Sequence, residues 1–491
     1  MPAGLQSAHE PFDPTVVTGL GVPIRRLLTD SRNLRPGDVF VAMPGARVDA
    51  RTLVPQAIAA GAAGVIWESE GFSWNPAWRI PNLGVSGLRE RLGLIAAHVY
   101  GEPSRKLWVA GVTGTNGKTS CSHWIAQALG GLGRPTGVIG TLGNGFPGRL
   151  TSATHTTPDA AAVQAQLAEL LAQGASGVAM EVSSHGLEQG RVNGVAFAAA
   201  LFTNLSRDHL DYHGDMERYG AAKARLFRWP GLRHAVINLD DRFGAELAAS
   251  LDRSRVEVLG YGLGKGEISG HHLDLSKRGL SLEIETPWGA AAIRSALLGA
   301  FNAANLLGVL GVLLAGGVEL RQAAGALEQV EPVPGRLQIV RRAGRPLVVV
   351  DYAHTPDALE KVLETLRGVL GSRGALVCVF GCGGDRDPGK RPLMGEVATR
   401  LADRTFVTSD NPRGEDPRAI IEQIIAGAHP RYQADPDRAT AIETAIRESR
   451  PEDLVLIAGK GHETYQEIAG RRFPFNDVEV AEAALGGGEP S

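Results

Sequence analysis

The stretch from Leu107 to Gly133 constrains this chain more than any other part of its 491 residues. Leu107 to Val112 is a short apolar run suited to a buried parallel strand, and Gly111-Val-Thr-Gly-Thr-Asn-Gly-Lys-Thr119 continues from it as a glycine-rich turn. Cys121, Trp124, Ile125, Ala128, Leu129 and Leu132 then recur at the spacing of one helix face, and Gly130, Gly131 and Gly133 supply the stop. A strand, a glycine turn and a helix N-terminus together form an anion site, because bare backbone N–H groups and the helix dipole converge on one point. Gly114, Thr115, Asn116, Gly117 and Ser120 belong to this phosphate cradle. Lys118 is placed to reach the β- and γ-phosphates, and the Thr119 hydroxyl to ligate Mg²⁺. The strict spacing G-x-x-x-x-G-K-[ST] is not met, since Val112 stands where its first glycine belongs. The nucleotide reading therefore rests on the flanking strand and helix rather than on a bare Gly-Lys-Thr.

A chain of this length exceeds one core and suggests about three domains. With 43% hydrophobic and 21% charged residues and a net charge of −3, it reads as an ordinary soluble globular protein. Nothing in that charge calls for nucleic acid or an anionic membrane as partner. Residues 1–10 carry neither a basic n-region nor an apolar h-region, so no secretion signal is read. Ala296 to Val318 is free of charge, but Asn302, Asn305 and several glycines interrupt it, and a buried helix is expected rather than a membrane span. Cys121, Cys378 and Cys382 are too few and too poorly spaced for a disulfide framework or a zinc site. A cytoplasmic location is expected.

In chain order, residues 1–104 read as a small α/β unit. Strands are expected at Pro36–Ala42 and Gly64–Trp67, helix at Ala57–Gly61, and a linker at Gly101–Ser104. Ser31 and Arg32 suit either an anionic ligand or a solvated turn. Residues 105–334 hold further apolar strands that end in polar clusters. Gly177–Val182 carries Glu181 near its end, Ala198–Phe202 leads to Asp208 and His209, and Ala235–Leu239 leads to Asp240 and Asp241. This is the pattern of a parallel sheet with ligands at its carboxyl edge, where Glu181 would hold a metal near phosphates. After a second linker at Glu331–Gly335, residues 335–491 contain four strand-like runs. Pro346–Val350 leads into Asp351, Ala375–Phe380 into Gly381–Asp387, Thr405–Thr408 into Asp410–Arg413, and Leu454–Ile457 into Gly459–Glu463. In one open parallel sheet these four ends would share an edge and form a substrate site. The tail after Leu485 is expected to be disordered.

Several ordered motifs accompany this layout: His155-Thr-Thr-Pro-Asp159, Glu181-Val-Ser-Ser-His-Gly-Leu187, Asp208-His-Leu-Asp-Tyr-His-Gly214, Asp410-Asn-Pro-Arg413 and Gly459-Lys-Gly-His-Glu463. With the Gly-Thr-Asn-Gly-Lys-Thr turn, they make the whole chain resemble the Mur ligases, the ATP-dependent amide-forming enzymes of bacterial cell-wall precursor synthesis. The resemblance implies a fold of α/β class in three domains: a small UDP-binding domain (1–104), a central P-loop parallel-sheet ATPase domain (105–334) and a Rossmann-like C-terminal domain (335–491). One departure is Asp49-Ala-Arg51, where many relatives carry Asp-Gly-His or Asp-Gly-Arg; it is expected to affect only a surface turn.

The implied reaction joins an amino acid to UDP-N-acetylmuramoyl-L-alanyl-D-glutamate through an acyl phosphate, in a monomeric enzyme. By motif match, Ser31 would contact the UDP-sugar, and Thr156, Thr157, Ser183, Gln189 and Arg191 its peptide end. Asn302 and Asn305 would lie near the adenine, and Arg336 and Asp351 would reach ATP from the third domain. Thr119 would ligate one Mg²⁺, with Glu181 and His209 near a second. Lys223 matches the family lysine carbamylated by CO₂, which turns a side chain of charge +1 into one of −1. Arg386, Asp410, Asn411, Pro412, Arg413, Gly459 and Glu463 would hold the incoming amino acid. A planar guanidinium grips a carboxylate with two parallel hydrogen bonds, so Arg413 and Arg386 favour meso-diaminopimelate, with lysine and ornithine as alternatives.

Overall fold

The computed structural model describes residues 12–45, 48–371 and 373–486. The N-terminal stretch 1–10 and most of the tail after Leu485, for which expectations were stated above, lie outside them. The chain divides into two compact units, the first running to Ile268 and including Gly308–Ala323, the second comprising Ser269–Leu307 and the chain from Ala324 onward.

The first unit opens with four parallel strands, Leu27–Leu28, Val39–Ala42, Gly64–Glu68 and Asn82–Val85, paired in chain order. Alternation along the strands sends Val39 and Val41 to one face, against Leu88, Leu92 and Ile95 of the helix Leu88–Val99. Phe40 and Ala42 go to the other face, with Val54 and Ala57. The helix expected around Ala57 runs Val54–Ala59. Asp49-Ala-Arg51 is not the surface turn it was expected to be. Arg51 is only 8% exposed, grips Asp49 with two nitrogens, donates to the carbonyls of Glu68 and Glu70, and lies 4.8 Å over the Phe72 ring. An arginine can be buried there because all of these acceptors are supplied locally.

The larger sheet of this unit has six parallel strands in the spatial order Glu257–Leu263, His234–Asn238, Ala199–Phe202, Trp108–Thr113, Gly177–Glu181 and Thr136–Gly140. Gly143–Phe146 and Arg149–Thr151 extend it in antiparallel sense. From Trp108–Thr113 the chain goes two positions out to Thr136–Gly140, steps back in to Gly177–Glu181 and then crosses to Ala199–Phe202 on the other side, so the central strand lies at the topological switch point. Its interior is the cluster that includes Val109, Val178, Met180, Ala200, Phe202 and Ile237. The charge-free run forms the helix Ala300–Ala315, whose Gly308 and Gly311 leave no room for a Cβ against Tyr261 and Val236. No helix among the described residues is long and apolar enough to cross a membrane.

The second unit contains an antiparallel meander, Ile268–Ser276, Gly279–Thr286 and Gly289–Ser295, not anticipated above. Its signal was present, since Leu280, Leu282 and Ile284 are buried in alternation with Ser281, Glu283 and Glu285. The main sheet orders Gln338–Val340, Leu347–Asp351, Leu454–Ala458, Leu376–Phe380, Arg404–Val407 and Tyr432–Ala434, all parallel except the first. The four expected strands are thus consecutive neighbours and their carboxyl ends share one edge. Both faces are covered. Leu347, Val349, Leu376 and Phe380 pack with the helices Pro356–Leu370, Lys390–Leu401 and Pro417–Ile425, while Val348, Val350, Val377 and Val379 meet Ile442, Ile446 and Leu485.

Candidate active site

The phosphate turn leaves the switch-point strand at Thr113 and enters the helix Lys118–Gly131. Gly114 has φ 150°, and a Cβ there would sit 1.9 Å from the Thr203 hydroxyl. Gly117 has φ 86°. Only glycine satisfies both demands, backbone angle and close approach. The N–H groups of Thr115 and Asn116 are already engaged by Asn204, through its carbonyl and side-chain oxygen. The backbone anion site that remains beyond this pairing is the N-terminus of the helix that starts at Lys118. Lys118 curls back over the turn, its Nζ 2.9 Å from the carbonyls of both Gly114 and Thr115.

Glu181, fully buried, is the junction of the site. Its Oε2 accepts from the hydroxyls of Thr119 and Thr141, both at 3.0 Å, and its Oε1 from the Thr141 N–H at 2.8 Å. Its backbone carbonyl accepts from the Thr157 hydroxyl at 2.9 Å. Thr141 was missed in the sequence. The clue available was a polar residue directly after the strand Thr136–Gly140. This cluster of hard oxygen donors fits Mg²⁺, which needs few protein ligands when phosphates supply the rest. Among the described residues no group of three or more His, Cys, Asp or Glu side chains is placed to hold a metal.

Lys223, on the helix Met216–Ala224, is 1% exposed, and its Nζ donates to the Gly114 carbonyl at 2.8 Å. It lies 4.4 Å over the Tyr219 ring, whose hydroxyl meets Thr115 at 3.2 Å. Burial, aided by the Lys118 ammonium and opposed by Asp208, drives its pKa well below the usual lysine value. His209 adopts φ 53° and packs edge-on to His185, 4.9 Å between ring centres. Burial also lowers the pKa of His209, against the pull of Asp208. His213, another residue the motifs left without a role, is buried with Nε2 2.9 Å from the Ser184 hydroxyl.

The residues expected at the peptide end form one connected network. Thr157 Oγ1 lies 3.0 Å from Ser183 Oγ and accepts the Ser183 N–H at 3.0 Å, and Ser183 caps the short helix Ser184–Glu188. Arg191 donates to the Thr157 carbonyl at 2.8 Å and grips Gln189 Oε1, while Thr156 meets Thr141 at 3.1 Å. Ser31 stands apart from this network. Its neighbours Thr29, Asp30 and Asn33, with Tyr100, Asp159 and Gln166, line a cleft of about 620 Å³. Arg32 is mostly exposed and held by Asp30, the solvated-turn alternative.

In the second unit, Asp351 is buried and uses both oxygens on backbone, accepting from Leu337 and Ala353 at 2.8 Å. Burial raises its pKa, with Arg336 opposing. Arg336 stacks over Tyr352 at 4.8 Å. Asn302 and Asn305 are buried and bonded to each other, and Asn302 also donates to the Leu298 carbonyl. The motifs expected to hold the amino acid do converge: Asn411 Nδ2 donates to Glu463 Oε2 at 2.7 Å, and Arg413 Nη1 donates to the Gly384 carbonyl at 2.8 Å. A Cβ on Gly459 would meet Asp410 at 2.6 Å. Arg386 is exposed.

Residues 23–100 match the Mur ligase family catalytic domain, 112–313 the Mur ligase middle domain and 335–461 the Mur ligase glutamate ligase domain. A Chromobacterium violaceum protein described as UDP-N-acetylmuramoyl-L-alanyl-D-glutamate–2,6-diaminopimelate ligase is 55% identical over 476 residues, covering 96% of this chain and 97% of its own. A Pseudomonas aeruginosa protein of the same description is 53% identical over 466 residues, covering 94% and 95%. A solved structure of a ligase so named superposes with TM-score 0.70 at 39% identity, over 95% of each chain. The chain belongs to the Mur ligase family.

Proposed function

We propose that this protein uses ATP to join meso-diaminopimelate to UDP-N-acetylmuramoyl-L-alanyl-D-glutamate. One observation carries the reading: the phosphate turn and the peptide network meet at a single residue, Glu181, through Thr119 on its carboxylate and Thr157 on its backbone carbonyl. A substrate carboxylate held by Arg191 and its neighbours is thereby brought toward the γ-phosphate. A carboxylate does not react with an amine in water, because its oxygen is a poor leaving group. Transfer of the γ-phosphoryl group to that oxygen gives an acyl phosphate and ADP; the amine then adds to the carbonyl, and phosphate leaves. Phosphoryl transfer needs positioning and charge neutralisation, which Lys118 and the helix N-terminus supply. Mg²⁺ at Thr119 and Glu181 would neutralise the charge shared between the β- and γ-phosphates.

Lys223 is the second charged component. Its depressed pKa supports a neutral amine, the form that adds CO₂ to give a carbamate and a proton. As a carbamate it would serve beside His209 as an anionic ligand for a second Mg²⁺. Intact-mass measurement in bicarbonate should find the carbamate mass, and Lys223→Arg, which stays positive, should be nearly inactive. Full activity in that variant rejects the carbamate. The reaction itself is tested by phosphate release, which should require the UDP-muramoyl dipeptide and the amino acid together. Arg413 and Arg386 supply the guanidinium that a second carboxylate calls for. Competition among diaminopimelate, lysine and ornithine at equal concentration should yield the diaminopimelate product, and preferred lysine or ornithine incorporation would reject that substrate. Arg413→Ala should weaken diaminopimelate use by about 2–5 kcal/mol, the cost of truncating one partner of a buried charge pair.

A further inference from the structure

Lys460 is the least expected charge in the second unit, an ammonium with 0% exposure inside a glycine-rich loop. Its Nζ lies 3.1 Å from Asn411 Oδ1 and 3.1 Å from Glu463 Oε2, with the Tyr465 ring centre 5.6 Å away. A buried ammonium has three protons and no acceptor capacity, so whatever faces it must accept. The Glu467 N–H also reaches Asn411 Oδ1, at 2.9 Å. Two obligate donors on the same side leave the Asn411 amide one orientation, oxygen toward Lys460 and NH₂ toward Glu463, which it meets at 2.7 Å.

Two donors, Lys460 and Asn411, therefore occupy one oxygen of Glu463. Its Oε1 has no hydrogen bond among the described residues, and the side chain is 18% exposed. That is the state a carboxylate needs to receive a ligand ammonium: oriented, half satisfied and open on one oxygen. The facing loop Asp410–Arg413, which carries Asn411, is tied to the strand Tyr465–Ile468 by Gln466 Nε2 on the Asp410 carbonyl and by the Arg413 N–H on the Glu467 carbonyl. We propose that Lys460 is a positioning residue for the amino-acid subsite. It fixes the amide of Asn411 and the carboxylate of Glu463 so that Glu463 Oε1 receives an ammonium group of the incoming diamino acid. The inference rests on the proposed function and deepens it.

The test is Lys460→Met, which keeps the length of the side chain and removes its charge and donors. The KM for the amino acid should rise about 10- to 100-fold, the effect of losing buried hydrogen bonds to charged groups. The KM values for ATP and the UDP-muramoyl dipeptide should stay within about twofold, and acyl-phosphate formation without amino acid, read by borohydride trapping, should persist. If Lys460→Met does not fold, Lys460→Gln keeps one donor toward Asn411 and gives the same comparison at lower temperature. A purely structural lysine would lower thermal stability and move all three KM values together, or none; either result in a soluble variant overturns the proposal. Failure of the underlying reading looks different: wild-type enzyme would then use none of diaminopimelate, lysine and ornithine.

Discussion

The phosphate turn and the loops proposed to receive the amino acid hold their shapes by opposite means. The turn is made of backbone: two glycines at positive φ, a helix N-terminus, and a close approach between Gly114 and Thr203 that excludes any Cβ. The amino-acid loops are held by buried cations from elsewhere in the chain. Arg391, 1% exposed, grips Glu415 at 2.8 and 2.9 Å and donates to the Gly383 carbonyl. Arg438 pairs with Asp477 at 2.7 and 2.8 Å, and also donates to the carbonyls of Ser409 and Ala458, the residues just before Asp410 and Gly459. Lys460 differs from both, since it sits within one of these loops and orients the side chains of Asn411 and Glu463. A turn built of backbone takes its geometry from its glycines, with Lys118 and Lys223 laid over its carbonyls. Loops built on ion pairs spend the charges of Arg391 and Arg438 on shape, so removing either of these should damage folding first.

The contrast predicts its largest effect at Lys118. Lys118→Ala should lower kcat by about 10³-fold or more, as loss of a cation facing a transferring phosphoryl group does. The thermal midpoint should move by no more than about 2 °C, because the turn keeps its glycine geometry without the side chain. A variant that keeps its activity, or unfolds, would break the distinction from the side of the turn.

At Arg438 the expectation is reversed. Arg438→Met strands the Asp477 carboxylate, which has 0% side-chain exposure, and should cost about 3–5 kcal/mol in urea unfolding. The double variant Arg438→Met, Asp477→Leu should regain much of that loss, because a buried pair replaced by apolar groups is often nearly neutral. The remaining deficit then reports the two carbonyls left without a donor. A single variant as stable as wild type would show that the loops do not depend on the pair.

The same difference explains what could be read from the chain. The phosphate turn spans consecutive residues, and its strand, glycines and helix are local signals. The four parallel strands of the second unit were legible as β-branched runs, and their polar ends as a shared edge. Arg391 and Arg438 carried no such signal. Each sits in a helix where an arginine ordinarily faces water, and its partner lies 24 or 39 positions away. Arg51 misled for the same reason, since its acceptors are carbonyls that composition does not mark. Glu181 was read as a metal ligand, yet its bonds to Thr141 and Thr157 join residues distant in sequence, and no local pattern marks such a junction.

The smallest expected effect sharpens the comparison by pH. Two Arg391 hydrogen bonds and the Asp385 N–H pull the Glu415 pKa from 4.5 down to about 2. A carboxylate whose folded pKa lies below its unfolded value contributes stability that is complete above the unfolded value. That contribution fades as pH falls toward the folded value. Glu415→Gln should therefore be less stable than wild type at about pH 7, and the gap should shrink below about pH 4.5 and close near pH 2, read as the difference in urea midpoints. The phosphate turn has no such carboxylate gripped by an arginine, so Lys118→Ala and wild type should run parallel through the same range. A Glu415→Gln gap that stays constant on acidification would mean that the Arg391 pair adds shape without charge, and would remove the acid sensitivity assigned to the amino-acid loops.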